Sequence, residues 1–95
     1  MAVVVQTVVP RASKAQADSF EESVGTAMME RGGPPAGLMA HIGHPSGDGF
    51  VLCNVWRSEA DMRSFHDEVL LPKLAEIGLE PEESVISPVW SFARP

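Results

Sequence analysis

Residues 2–9 limit the choice of fold more than any other segment, because they form a predicted strand that is apolar on both faces. Most of them are β-branched, and Pro10, which cannot donate a backbone hydrogen bond, follows directly. Alternate side chains of a strand point to opposite faces. The two faces carry Val3, Val5, Thr7 and Val9 on one side and Ala2, Val4, Gln6 and Val8 on the other. A sheet covered on one side only alternates apolar with polar residues, so this strand predicts cover on both sides.

The first helix and the hairpin after it have clear boundary signals. Ser13, with Gln16 three residues later, forms a capping box, and the Gly-Gly-Pro-Pro sequence at residues 32–35 ends the helix. Turn residues at 45–49 then predict a hairpin. Its two strands are predicted at about residues 37–44 and 50–56.

The second half of the chain repeats the helix and strand pattern. Ser58 caps a second helix, and Pro72 inside it predicts a kink or a restart near Leu71. Residues 84–93 predict a fourth strand, which Pro88 confines to an edge position or a bulge.

The order strand, helix, strand, strand, helix, strand is the split βαβ plan of a ferredoxin-like α+β domain with a four-stranded antiparallel sheet. We expect one such domain over residues 1–95, with both helices on one face of the sheet. The other face needs a cover that this chain does not contain, so we expect a homodimer. Burial of about 700 Å² of apolar sheet per chain, at about 25 cal/mol per Å², contributes on the order of 15 kcal/mol before entropic losses.

Composition and missing motifs exclude several functions. The net charge is −6 and the seven Lys and Arg residues are scattered, whereas nucleic acid and anionic membranes both select basic patches. No apolar run approaches the roughly 20 residues of a membrane span and no secretory signal is visible, so we expect a cytoplasmic protein. Cys53 is the single cysteine, in a sequence typical of a buried strand. The chain has no phosphate-binding loop, dinucleotide fingerprint or nucleophile elbow.

The sequence Asn-Val-Trp-Arg-Ser-Glu-Ala-Asp-Met at residues 54–62 resembles the strand-to-helix junction of the dimeric α+β barrel superfamily, the antibiotic-biosynthesis-monooxygenase-like proteins. The resemblance in element order covers nearly the whole chain. It implies that two sheets pack into a dimeric α+β barrel. It also implies a cofactor-independent monooxygenase, cyclase or isomerase that binds a small apolar or aromatic metabolite and uses no cofactor. A structural role accounts for the same junction, because Trp56 closes the strand against the helix and Ser58 caps the helix.

Two residue sets of this superfamily are not matched. Quinone-forming members resemble this chain at Trp56 but have an Asn four residues before it and a Tyr six residues after it, where this chain has Leu52 and Met62. Haem-degrading members have an Asn in the first strand, a Trp in the second helix and a His that binds iron. The corresponding positions here are Gln6 or Thr7, Phe65 and Ala75.

Three polar residues are the candidate catalytic groups: Asn54, His41 and His66. Asn54 lies mid-strand among apolar residues, so its amide either bonds to a local backbone group or faces a pocket. His41 titrates near neutral pH and can exchange a proton, or it is a core or interface histidine. A four-residue loop that pairs Pro45 with Phe50 sets His41 directly opposite Asn54, and a five-residue loop separates them. His66 falls at the edge of the apolar stripe of the second helix.

Four apolar residues are the candidate walls of a substrate-binding pocket: Trp56, Met62, Phe65 and Trp90. Trp90 alternates with Phe92 on the predicted fourth strand, and such an aromatic face serves equally as core or dimer interface. The methionines that would form adaptable walls around a cavity are Met28, Met29, Met39 and Met62. No residues show a metal-site spacing, since His41 and His44 lie on opposite faces of their strand.

Two hypotheses remain open from the sequence. In the first, the protein is an enzyme in which Asn54 orients the substrate or stabilises an enolate while His41 or His66 moves a proton. In the second, a noncatalytic dimer binds a small molecule or another protein, and these residues serve the structure. The presence or absence of a closed cavity of about 300 Å³ or more, lined by Asn54, distinguishes the two hypotheses. Without such a cavity only the noncatalytic dimer stands.

Overall fold

The computed structural model describes residues 1–95, and its elements follow the predicted order. The strands are β1 (Val3–Val9), β2 (Leu38–Ser46), β3 (Gly49–Trp56) and β4 (Val85–Pro88). The helices are α1 (Lys14–Glu30), α2 (Glu59–Phe65) and α3 (Leu71–Glu76), and a π-helical turn, His66–Leu70, joins α2 to α3. None of the helices combines the length and the apolar character that a bilayer span requires.

The four strands form one antiparallel sheet in the order β2-β3-β1-β4. The helices pack against one face of it, where a buried apolar cluster joins Val5 and Leu52 of the central strands to Phe20 of α1 and Leu74 of α3. This is the ferredoxin-like α+β fold that the element order predicts.

Helix α1 begins and packs as its sequence indicates. The Ser13 hydroxyl accepts from the Gln16 backbone N–H at 3.1 Å, and the Gln16 side chain accepts from the Ser13 N–H at 2.9 Å. This capping box satisfies two backbone donors that a helix start leaves free. Phe20, Val24 and Ala27 then lie on one buried stripe. The predicted start of α1 is confirmed.

The second helix is interrupted where Pro72 predicts a restart. Proline has no backbone N–H, and in a regular helix its ring would clash with the carbonyl of Glu68. The preceding turn is instead widened, so that the Leu71 N–H donates to the carbonyl of His66, five residues back. A regular helix restarts at Leu71. Single π-helical turns of this kind occur often near functional sites.

The sheet face away from the helices, called the open face below, is largely apolar, and Val51 is its only buried residue. It carries Val4, Gln6, Val8, Ala40, Ile42, His44, Val51, Cys53, Val55, Val85 and Ser87. Ile42 is 57% exposed and Val85 is 62% exposed. Cys53, predicted to be buried, is only partly buried because its face has no cover. The two apolar faces predicted for β1 therefore exist, and a single chain buries one of them.

The fourth strand is shorter than the predicted span of residues 84–93. Its pairing with β1 ends where Pro88 lies opposite Val3, apart from one bond between the Val89 N–H and the Ala2 carbonyl. Because the two strands are antiparallel, the following residues pass beyond the end of β1 and have no neighbouring strand. The prediction that Trp90 lies on an aromatic strand face was therefore wrong.

Candidate functional site

The register of the hairpin between β2 and β3 decides which side chains share a face. Gly47 has a φ of 55°, a backbone conformation that glycine adopts without strain, and Pro45 pairs with Phe50 across the hairpin. This is the four-residue alternative left open by the sequence. It sets His41 directly opposite Asn54, on the face that the helices cover.

A chain of three polar side chains leads from α1 across β2 to β3. Nε2 of His41 lies 2.9 Å from Oε1 of Glu21, and Nδ1 of His41 lies 2.5 Å from Oδ1 of Asn54. The Glu21 and His41 side chains are 43% and 38% exposed, whereas Asn54 is 4% exposed. The chain therefore connects the protein surface to a buried amide.

Glu21 is a candidate functional residue that the sequence pattern did not reveal. It lies beside the apolar stripe of α1, where an acidic side chain is typical of a solvated face. Only the packing of α1 across β2 brings its carboxylate to His41, twenty residues further along the chain. No periodicity or motif encodes such a contact.

The surroundings of His41 favour the charged form of its imidazole ring. The hydrogen bond with Glu21 raises the pKa of His41 above the usual 6.5, burial opposes the rise, and the Asn54 bond and the negative charge of Glu21 add to it. In the charged form both ring nitrogens carry hydrogen and donate, Nε2 to Glu21 and Nδ1 to Asn54. The Asn54 amide nitrogen is then free to donate elsewhere.

These side chains line a pocket of about 80 Å³ between the sheet and the helices, called the inner pocket below. Its residues are Phe20, Glu21, Val24, Met28, Leu38, His41, Leu52, Asn54, Trp56, Phe65 and Leu70. Trp56 is fully buried, its ring centre lies 5.5 Å from that of Phe65, and its indole Nε1 has no hydrogen-bond partner. A buried N–H without a partner costs about 1–3 kcal/mol. The pocket is smaller than the cavity of about 300 Å³ expected for the enzyme, so its volume in a single chain favours the noncatalytic hypothesis, whereas its buried polar groups favour the enzyme.

The other candidate residues lie away from the inner pocket. Met62 is buried in the core but is not part of the pocket wall, and Met29 is 77% exposed, so the methionines do not cluster. His66 is 6% exposed with its Nε2 unpaired, and burial lowers its pKa below 6.5. Trp90 is 94% exposed, outside the pocket. No three His, Cys, Asp or Glu side chains are grouped as a metal ion requires.

Comparison with known proteins identifies the class of fold. No protein-family model and no curated protein matches the chain. Among solved structures, SnoaB, a cofactor-independent oxygenase from Streptomyces nogalater, matches over 96% of this chain and 93% of its own, with 16% identity and a TM-score of 0.61. A candidate antibiotic biosynthesis monooxygenase from Deinococcus radiodurans matches over 100% and 98%, with 10% identity and a TM-score of 0.62. One from Nitrosomonas europaea matches over 93% and 90%, with 17% identity and a TM-score of 0.61.

The chain therefore has the fold of the antibiotic biosynthesis monooxygenases over nearly its whole length. The resemblance inferred from residues 54–62 is confirmed at the level of the fold. The pairing of two sheets into a barrel concerns two chains and stays a prediction.

Proposed function

We propose that this protein binds a small apolar or aromatic metabolite in the inner pocket and transfers a proton at it, in the manner of a cofactor-independent monooxygenase, cyclase or isomerase. The observation that carries the proposal is the chain of Glu21, His41 and Asn54, which brings polar groups to an otherwise apolar pocket. The fold shared with the oxygenase SnoaB supports the same class of chemistry. A buried amide is costly unless its hydrogen bonds are used.

In its neutral form His41 is the proposed base. Glu21 accepts the Nε2–H and thereby fixes the tautomer that has its lone pair on Nδ1, the nitrogen beside Asn54. In this neutral form Nδ1 and the Asn54 carbonyl oxygen are both acceptors, so the Asn54 amide turns its oxygen away, and an acidic O–H or C–H of the substrate gives its proton to Nδ1. The Glu21 carboxylate then stabilises the imidazolium that forms, which is the same interaction that raises the pKa of His41.

Two N–H groups of the pocket are the proposed partners of the negative charge that the substrate gains. Once His41 is charged, its Nδ1–H donates to the Asn54 carbonyl oxygen, and the Asn54 amide nitrogen donates to the substrate oxygen. The unpaired indole N–H of Trp56 is the second donor. Apolar walls such as Leu52 and Phe65 exclude water, which strengthens both hydrogen bonds.

A second copy of the chain is the proposed cover of the open face. Ile42 and Val85 expose more than half of their surface there, and contiguous exposed apolar surface marks an interaction site. Trp90 follows the end of β4 and is almost fully exposed in one chain, which also favours a partner. Two open faces packed together would form the barrel implied by the superfamily.

Hydrogen exchange at an enolisable carbon tests the proton transfer without knowledge of the natural substrate. Phenylacetone carries an aromatic ring and acidic benzylic hydrogens, and their replacement by deuterium in D2O is followed by proton NMR. We expect the wild-type protein to accelerate this exchange. His41→Ala and Asn54→Ala should each reduce the acceleration by about 100-fold, the usual contribution of an acid–base group.

His44→Ala is the matched control, because His44 is an exposed histidine of the same strand on the open face. It should leave the exchange rate unchanged. Glu21→Gln should shift the pH profile of exchange as well as lower the rate, since Glu21 acts through His41. If phenylacetone binds but exchanges at the buffer rate, the proton-transfer proposal is wrong and the noncatalytic binding dimer is favoured.

A further inference from the structure

A second cavity adjoins the inner pocket and has a different character. It has a volume of about 260 Å³ and lies between the end of α1, the linker at residues 33–36 and α2, and it is called the outer chamber below. Its polar side chains are Arg31, Asp61, Ser64 and Glu68. Most of the inner pocket is apolar, so the two cavities suit different parts of one molecule.

Met28 and Phe65 line both cavities and so form the partition between them. Phe65 is 8% exposed and packs against the Trp56 ring, which holds it in place. Met28 is only partly buried at the edge of the core cluster. Its side chain is unbranched and flexible, and it adapts its conformation at low cost. Met28 is therefore the movable part of the partition.

The volumes show why this partition matters. A cavity of about 150 Å³ is known to bind benzene, and the inner pocket of about 80 Å³ is smaller, so a ring fits there only if the Met28 side chain gives up some of its space. Met28 lies between the inner pocket and the outer chamber of about 260 Å³, so a turn of its side chain would open a passage between them. Together they exceed the lower limit of about 300 Å³ for small-molecule pockets.

The charges of the outer chamber restrict what it accepts. Arg31 is bonded to Glu68 at 3.0 Å, so its charge is already compensated. The Asp61 carboxylate has no side-chain partner, and Gly37 keeps space beside it, because a Cβ at Gly37 would collide with that carboxylate. The chamber therefore carries an excess of negative charge. It favours ligand groups that donate hydrogen bonds and disfavours anions.

We infer that Met28 is a gate between the two cavities and that the ligand is elongated and neutral or cationic, with an apolar ring in the inner pocket and a hydroxyl or amine in the outer chamber. This inference rests on the proposed function for its inner end, where the ring meets Asn54 and Trp56. It adds the gate, the direction of entry and the charge class of the ligand.

Three probes that share one phenyl ring test the charge class: 3-phenylpropanol, 3-phenylpropylamine and 3-phenylpropanoate. Binding is followed by the indole N–H signal of Trp56 in two-dimensional NMR. The chain has two tryptophans, so Trp90→Phe assigns the signals. We expect the alcohol and the amine to bind at least about tenfold more tightly than the carboxylate. Asp61→Asn should remove most of the preference for the amine.

Met28→Ala and its neighbour Met29→Ala test the gate. Met29 is exposed and lines neither cavity, so its variant should bind as the wild type does. Met28→Ala should tighten alcohol and amine binding by about tenfold if the open conformer is populated at about 10% in the wild type. Met28→Phe, which keeps the core filled, should weaken binding of both.

Three results would overturn the inference: equal affinity for the three probes, equal binding by the Met28 and Met29 variants, or no response of the Trp56 signal in any variant. The proposed function fails separately. Binding that follows the Met28 pattern without exchange of phenylacetone would support the gate and contradict the proton transfer. Exchange of phenylacetone at a rate that substitution of Met28 does not change would support the proton transfer and contradict the gate.

Discussion

Replacement of Ile42 by glutamate tests the proposed homodimer at one position of the open face. Ile42 is 57% exposed in the single chain, and burying a whole isoleucine side chain contributes about 1.5–3 kcal/mol. Covering the exposed part therefore contributes about 1–1.5 kcal/mol per chain. A twofold symmetric interface contains the position twice, so the substitution removes about 2–3 kcal/mol before the cost of desolvating two carboxylates.

At about 1.4 kcal/mol per tenfold change, this loss raises the dimer dissociation constant at least about 30-fold. Sedimentation velocity over a range of protein concentrations measures it, and the wild type should have a mass near twice 10.2 kDa. Met29→Glu is the matched control, since Met29 is 77% exposed but lies on α1, away from the sheet. A wild-type monomer, or identical behaviour of the two glutamate variants, would refute the assignment of the open face.

Stability measurements by urea unfolding test the remaining predictions. Leu74→Ala should lower the free energy of unfolding by about 2–5 kcal/mol because Leu74 is fully buried, whereas Leu71→Ala, at a residue 39% exposed, should cost much less. Gly49→Ala should also destabilise the protein, by about 1–3 kcal/mol, because the added Cβ would overlap backbone atoms at the end of β1. The two perturbed histidines should give opposite pH effects. His66 has a lowered pKa, so the unfolded chain binds its proton more readily and stability should fall as the pH drops below 6.5, a loss that His66→Leu should abolish. His41 has a raised pKa, so its charged form stabilises the folded protein. This stabilisation should be complete below pH 6.5 and should be lost as the pH rises through the raised pKa. His41→Ala should remove this pH dependence. An unchanged pH profile in either histidine variant would contradict the assignment.

The features that could be predicted from the sequence are those determined by local interactions. The capping box of Ser13 and Gln16 and the interruption before Pro72 each depend on residues within about one helical turn. The apolar pattern of β1 needs only the alternation of a strand. These features predict the element order and hence the fold.

The candidate site was predictable only in part, because it depends on contacts between elements. The pairing of His41 with Asn54 could be stated as one of two alternatives, since the sequence did not decide the turn length. Glu21 could not be found, because helix packing brings it to His41. Trp90 was misplaced because its alternation with Phe92 matches a strand that has no neighbour to pair with.

The hairpin turn at Gly47 has a consequence for how the chemistry of this fold could change over evolutionary time. Insertion or deletion of one residue there would move every residue of β2 to the opposite side of the sheet. His41 would leave Asn54 and join the open face, and its place in the pocket would be taken by Ile42 after an insertion or by Ala40 after a deletion. A loop without any side chain in the inner pocket therefore determines whether this strand places a histidine or only an apolar side chain opposite Asn54.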